Sequence, residues 1–516
     1  MRSRIAVLAA GLAMVVAAPA DAAWHRASSV HFIIYSEQSP AKLRDFAVKL
    51  ERFDKAVRIA RSMHDLPIGD GNRLTVFVVS NPRAVQKLAH DKTGFVAGFY
   101  IPRASGSVAF VPRSAGDGGN TDLNADTIFF HEYAHHLMMQ ELDRPLPEWL
   151  IEGFAEFLST ARFEADGSVG LGAAAMHRAQ SLFSANRLTI DAMLSGNHPK
   201  LDEGQRESLY GRGWLLTHYL TFEASRRGQL ELYLDAIARG GNPLEAARSA
   251  FGDLKVLDKD LNSYVMRRRL AYLPISASQI QVGAIDILPL TPGAAAVIPL
   301  RMRSKRGVNA QTSGPLAEEV RRVAKLFPGD PLVEVTLAEA EVDARNPAAA
   351  EAAADRALKA DPKMIEAMIY KGRAIMARAQ ATRSKDDWAA ARKWFIAANK
   401  ADSEDPEPLM LFYESFVRAA EKPNANAISA LHYASNLAPQ DTALRLNSAM
   451  QYLRDRKPRE AKAALAPLAY NPHGRELAEK VRGAIARIDA ADSTAALSTL
   501  DKEAGVADDT TANPER

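Results

Sequence analysis

Apolar and polar positions change pattern twice along this chain. From Val30 an extended run to Tyr35, an amphipathic helical pattern over Ala41–Met63, a β-branched run over Leu74–Val79 and a short helical pattern over Arg83–His90 alternate, which predicts an α/β start. Two more extended runs, Phe95–Ile101 and Ser107–Val111, flank the turn-rich Pro102–Gly106 and predict a hairpin. Helical period returns over Asp126–His136 and again after Pro147, continues with irregular breaks through 172–208, and resumes over Glu231–Arg239, Pro243–Phe251 and Asp258–Arg269. This first texture predicts an α+β domain over 23–272. Between 273 and 314 the runs Ile280–Leu288 and Ala296–Met302, separated by Pro and Gly, read as a β-rich connecting module or linker. The second change comes at Leu316, where Ala, Lys, Glu and Arg take over at helical period, predicting an all-α solenoid over 315–490. The polar, acidic tail 491–516 is expected to be disordered.

Repeats run through the all-α part. Pro406, Pro439 and Pro472 are each 33 residues apart, and Pro331 and Pro362 are 31 apart. The helix preceding Pro439 carries small, large and small residues at fixed offsets, Ala427, Leu431 and Ala434, and the one preceding Pro362 fits three of the four positions, with Ala350, Ala357 and Pro362 in place and Ala354 where the large residue is expected. Ala391, Phe395 and Ala398 repeat the pattern with Ser403 in the proline position. Small residues let paired helices approach, the large one fills the gap, and proline ends the helix. This segment resembles tetratricopeptide repeats, whose unit is about 34 residues long. The resemblance implies a solenoid that binds peptides or a protein partner along its concave face.

Residues 1–22 change the picture of where the protein works. Arg2 and Arg4 precede an apolar run from Ile5 to Ala18, followed by the small-x-small segment Ala20-Asp21-Ala22, the pattern of a cleaved signal peptide. No later segment reads as membrane-spanning, so a bacterial periplasmic or secreted protein is expected. The chain contains no cysteine, which removes disulfides and thiol catalysis. The formal net charge of +3 predicts no nucleic-acid partner, and Arg301-Met302-Arg303-Ser304-Lys305-Arg306 reads as a solvated edge.

The chemistry concentrates in Asp126-Thr127-Ile128-Phe129-Phe130-His131-Glu132-Tyr133-Ala134-His135-His136 and in Pro147-Glu148-Trp149-Leu150-Ile151-Glu152-Gly153-Phe154-Ala155-Glu156. Residues four apart on a helix lie nearly above one another, so His131 and His135 face one spot, with Glu132 beside it. That spot suits a tetrahedral Zn²⁺ that takes one more protein ligand and leaves its fourth position to water. With 12 His in the chain, about 0.02 chance matches to H-E-x-x-H are expected, so the motif carries information. Glu152 is the candidate third ligand, and Glu156, one turn on, competes with it on spacing alone. Glu148 beside Pro147 reads as an ordinary helix start, and Trp149, Leu150 and Phe154 as core.

H-E-x-x-H followed by W-L-x-E-G-x-A resembles the gluzincin metallopeptidases, the thermolysin-like and M1 aminopeptidase-like clan. The resemblance covers about 90–270 and implies a zincin-like fold, Zn²⁺ held by His131, His135 and Glu152, and Glu132 as general base. Glu156 would then be a carboxylate that orients a ligand histidine. In this clan a strand edge beside the zinc binds the substrate backbone, a role the hairpin at Phe95–Val111 can fill. Leu209-Tyr210-Gly211-Arg212-Gly213 is similar to the Y-x-x-G segment of M1-like enzymes, which makes Tyr210 the stabiliser of the tetrahedral intermediate, with His218 a second candidate. The implied function is a secreted zinc peptidase acting on peptide or protein substrates. Two other readings stay open: an assembly factor whose zinc site is vestigial, and a zinc amide hydrolase acting on cell-wall material.

Overall fold

The computed structural model describes residues 24–65, 68–91, 96, 98–113, 124–141, 146–196, 201–469 and 475–507. The expected signal peptide, most of the loop 114–124, Pro472 and the last residues of the tail lie outside them. In chain order the first part contains β1 (His25–Ser28), β2 (Phe32–Ser36), α1 (Pro40–Arg61), β3 (Leu74–Val79), α2 (Pro82–Ala89), β4 (Phe99–Ile101), β5 (Val108–Pro112), α3 (Ala125–Glu141) and α4 (Glu148–Ser159). It continues with β6 (Arg162–Phe163), β7 (Val169–Leu171), α5 (Ala179–Leu182), α6 (Ile190–Ser195), α7 (Glu203–Phe222), α8 (Gln229–Ala238), α9 (Pro243–Phe251), α10 (Leu254–Val265), β8 (Leu273–Ile275) and β9 (Asp286–Pro289).

Six strands form one mixed sheet in the order β4-β5-β3-β2-β1-β9. The central β2, β3 and β5 pair in parallel, and β3 is almost wholly buried, which is why its sequence is a continuous apolar run. The expected hairpin is β4–β5, antiparallel, with Phe99 opposite Phe110 and β4 as the free edge. Helices α1, α3, α4 and α7 bury their apolar faces in one core with this sheet; Phe53 of α1 stacks on Phe130 of α3 at 4.2 Å between ring centres. A small sheet, β6-β7-β8, flanks α1. No helix among the described residues is long and apolar enough to cross a membrane.

Residues 273–314 are not a separate β-rich module. β8 pairs with β7, β9 pairs with β1, and Ala296–Met302 lies in the helix α11 (Pro292–Arg306). Thr291 accepts a hydrogen bond from Ala294 N at 3.1 Å and Pro292 fits the first turn, so local capping overrides the β-branched appearance of Val297 and Ile298.

Eleven further α-helices follow among the described residues: α12 (Ser313–Leu326), α13 (Pro331–Asp343), α14 (Pro347–Ala360), α15 (Ile365–Thr382), α16 (Lys385–Ala401), α17 (Pro406–Arg418), α18 (Ala425–Leu437), α19 (Thr442–Arg454), α20 (Pro458–Leu465), α21 (Arg475–Asp489) and α22 (Ser493–Ala507). Each packs on the next, and α13, α15 and α17 also touch in turn. Ala350, Ala354, Ala357, Ala391, Phe395, Ala398, Ala427, Leu431 and Ala434 are all fully buried between these helices. Pro362 and Pro439 follow helix ends, whereas Pro331 and Pro406 open helices behind the capping carboxylates of Asp330 and Asp405. The tail is ordered further than expected: α22 buries Ala496 and Leu500 against α19 and α21.

The basic cluster is not a solvated edge either. Helical spacing turns Arg301 and Lys305 of α11 towards α13 and α15, where Arg301 reaches Glu366 at 2.8 Å and Lys305 reaches Glu339 at 3.0 Å and Glu366 at 2.8 Å. Arg301 is 8 % exposed, and such desolvated charges persist only because they are paired. The helical part also seats on the first part: Ala104, in the β4–β5 turn, is fully buried among Tyr413, Phe416, Leu431 and Leu444, and Asn72 donates to Leu437 O at 2.7 Å.

Candidate metal centre

α3 carries His131, Glu132 and His135, and α4 crosses it to bring Glu152 to the two imidazoles. α4 is itself held by α7 through a glycine contact. A Cβ on Gly153 would lie 2.4 Å from the backbone of Gly213, so only glycine lets the two helices pack this closely. The close crossing places Glu152 of α4 and Tyr210 of α7 at the same site.

His131 Nε2 lies 3.2 Å from His135 Nε2, and Glu152 Oε2 lies 3.4 Å from the first and 3.6 Å from the second. A tetrahedral cation with bonds of about 2.0–2.2 Å spaces its ligands about 3.3–3.6 Å apart, so this triangle has the size such an ion requires. The three residues form a grouping that could hold a metal ion. Burial disfavours a charge on His131, yet Glu152 and Glu156 outweigh it and push the imidazole up to about 10. The site therefore demands positive charge, which a proton or a metal cation can supply.

Glu156 is not in the triangle. It approaches the other edge of the ring, with Oε1 3.1 Å from His131 Nδ1, while Nε2 faces Glu152. Two residues not singled out in the sequence hold Glu156 in turn: His177 Nε2 lies 2.8 Å from Oε2, and Arg178 Nη2 donates to Oε1 at 2.7 Å. Burial opposes the Glu156 charge, but Arg178 above all, then His131 and His177, keep its carboxyl well below the usual range. Both residues lie in the irregular stretch before and at the start of α5, where no periodicity marks a functional side chain.

Tyr210 stands beside the imidazoles, its ring centre 5.8 Å from that of His131 and 5.0 Å from the guanidinium carbon of Arg178. Burial, then the charges of Glu152 and Glu132, hold its phenol above the ordinary range, so it remains a neutral hydrogen-bond donor. Glu132 also acts on Tyr100 of β4, whose hydroxyl burial likewise keeps protonated.

His218 takes no part. It is fully buried on α7, with Nδ1 2.9 Å from Tyr264 OH and Nε2 3.0 Å from Ala271 O, and burial pushes it down to about 4. It is a core histidine with both nitrogens occupied. Trp149 and Leu150 are core residues, Trp149 Nε1 donating to Tyr233 OH at 3.1 Å, and Phe154 is partly buried beneath Arg61.

A second grouping, His31, Asp54 and Asp65, has different surroundings. Arg58 Nε lies 2.8 Å from Asp54 Oδ2, and Lys55 pairs with Asp65. Its carboxylates push His31 up as those of the first site push His131, but here Arg58 and Lys55 already supply cations of the chain.

Among known protein families no family model matches this chain, and no curated protein matches it. The geometry stands on its own.

Proposed function

We propose that this protein is a zinc-dependent metallopeptidase of gluzincin type joined to a tetratricopeptide-like array and exported through its N-terminal signal peptide. The observation that carries the reading is the triangle of His131 Nε2, His135 Nε2 and Glu152 Oε2, with Glu132 and Tyr210 at its rim. An N₂O donor set on two helices, closed by a buried carboxylate, suits zinc. When bound, zinc supplies Lewis acidity that polarises a carbonyl and acidifies water.

The chain's own groups do the rest. An extended substrate adds to the free edge of β4, which aligns its backbone across the site. Glu132 takes a proton from the attacking water and delivers it to the departing amine nitrogen. Tyr210 donates its phenolic hydrogen to the oxygen on which negative charge develops. Glu156, backed by Arg178 and His177, keeps His131 in its working orientation. Replacing Tyr210 by Phe is expected to lower kcat by about 10²–10³ while KM stays near its wild-type value, because the hydroxyl acts on charge that exists only in the transition state. Steady-state kinetics on a fluorogenic peptide checks this.

The reading is tested by elemental mass spectrometry of the full-length protein together with a quenched-fluorescent peptide library and cell-wall fragments. About one zinc per chain and peptide cleavage that a chelator stops and zinc restores support it. Cleavage confined to cell-wall fragments moves the substrate class from peptides to cell-wall amides. Failure to take up zinc on reconstitution sinks the hydrolase reading.

A further inference from the structure

The segment joining α18 to α19 touches both substrate-side elements of the proposed peptidase. Asp441 Oδ2 accepts the N–H of Ala104 at 2.7 Å, while its Oδ1 caps α19 through Leu444 N at 2.9 Å. Gln440, 4 % exposed, donates from Nε2 to Ser107 Oγ at 3.3 Å. Arg445 Nη2 donates to Met139 O at 3.1 Å, one of the last carbonyls of α3 and a group the helix itself leaves unpaired.

From Ser107 a hydrogen-bond chain leads to the active-site helix. Arg58 Nη2 donates to Gln140 Oε1 at 3.2 Å, so the Gln140 amide turns its NH₂ towards His136 Nε2 at 3.0 Å. With Nε2 accepting, His136 carries its hydrogen on Nδ1 and donates to Tyr100 OH at 2.7 Å, and Tyr100 donates to Ser107 Oγ at 3.3 Å. The donors run in one direction, from α1 through α3 and β4 to Ser107 Oγ, which Arg103 N at 3.2 Å and Gln440 also approach as donors. β4 has only three residues and one paired neighbour, so its own ladder holds it weakly.

We propose that Pro439–Arg445 is a latch that fixes the β4 edge against α3, so that the helical array is itself a positioning element for substrate binding. The inference rests on the peptidase reading for the role of β4, but the mechanical coupling does not. Zinc ligands, Glu132 and Tyr210 come from α3, α4 and α7, so loosening the latch weakens capture of extended substrate and leaves the chemical step intact.

The test uses the full-length protein with Gln440→Ala/Asp441→Asn, which keeps a helix-capping side chain on α19, and with Ser107→Ala, which breaks the same junction from the hairpin side. Hydrogen exchange over 99–108 should accelerate about five- to tenfold in each, as expected for losing one or two hydrogen bonds, with α14–α16 unchanged. KM for a peptide substrate should rise by a similar factor, with kcat and zinc content held, and the combined variant should show less than the product of the two effects. Unchanged exchange over 99–108, or a fall in kcat at constant KM, overturns the latch. Accelerated exchange in a protein whose wild type takes up no zinc and cleaves no peptide would sink the peptidase reading, and with it the latch's role in substrate binding, while leaving the coupling standing.

Discussion

Glu132→Gln should lower peptide-bond hydrolysis by about 10²–10⁴ while the protein keeps its metal and its fold, the range a positioned general base contributes. The amide matches the carboxylate in shape, so the local packing is preserved, but it cannot accept the water's proton. Glu132 is adjacent to a proposed ligand without belonging to the His131–His135–Glu152 triangle, so zinc content should match the wild type. Single-turnover kinetics with parallel elemental analysis reads both quantities. A rate within tenfold of wild type at full zinc occupancy would place the base elsewhere. Loss of metal would instead make Glu132 part of the ion's environment. The same variant separates an enzyme from a scaffold, since a protein acting only through its helical array would be indifferent to the change.

What the sequence made legible followed the range of the interactions. His131 and His135 meet because of helical geometry alone, and β3, α9 and the buried alanines of the helical part follow from local period, so all could be read from neighbouring residues. The split of 273–314 could not. Its strands are defined by partners at Val169–Leu171 and His25–Ser28, and a short apolar run with Val and Ile reads alike in strand and helix. Arg301 and Lys305 looked exposed because their partners Glu339 and Glu366 lie two and four helices further along the chain. The order in α22 depends on Ala496 and Leu500 finding a face on α19. At the site the division is the same. Glu152 sits on a recognisable motif, whereas His177 and Arg178 meet Glu156 through an irregular segment that only the tertiary fold brings near. Asp441 and Ala104 stand 337 positions apart in the chain, so no local pattern announces their contact.

Glu152→Ala and Glu156→Ala should separate the two acidic residues that spacing alone left competing. With Glu152 removed, the triangle loses its only carboxylate, and two imidazoles remain to hold a cation; zinc should fall below detection after dialysis, and activity with it. With Glu156 removed, all three ligands stay, and zinc affinity should drop by about 10–100-fold, the usual cost of losing the group that orients a ligand histidine. Stability should rank the other way. Glu156 is 1 % exposed and is the more deeply buried of the two carboxylates that pair with Arg178, the other being the half-exposed Glu207, so its loss leaves a buried guanidinium undercompensated at a cost of up to about 3–5 kcal/mol even in metal-free protein. Glu152 faces the two imidazoles, groups that can stay neutral where a guanidinium cannot, so the metal-free Glu152→Ala protein should melt above the metal-free Glu156→Ala protein. Chelator-competition titration and thermal melts of both variants, with and without zinc, read the two orders independently. Zinc retained in Glu152→Ala and lost in Glu156→Ala would exchange the roles of the two carboxylates. Equal melting points in metal-free protein would mean that Arg178 finds another partner when Glu156 is gone, most directly Glu207, which it already contacts on α7.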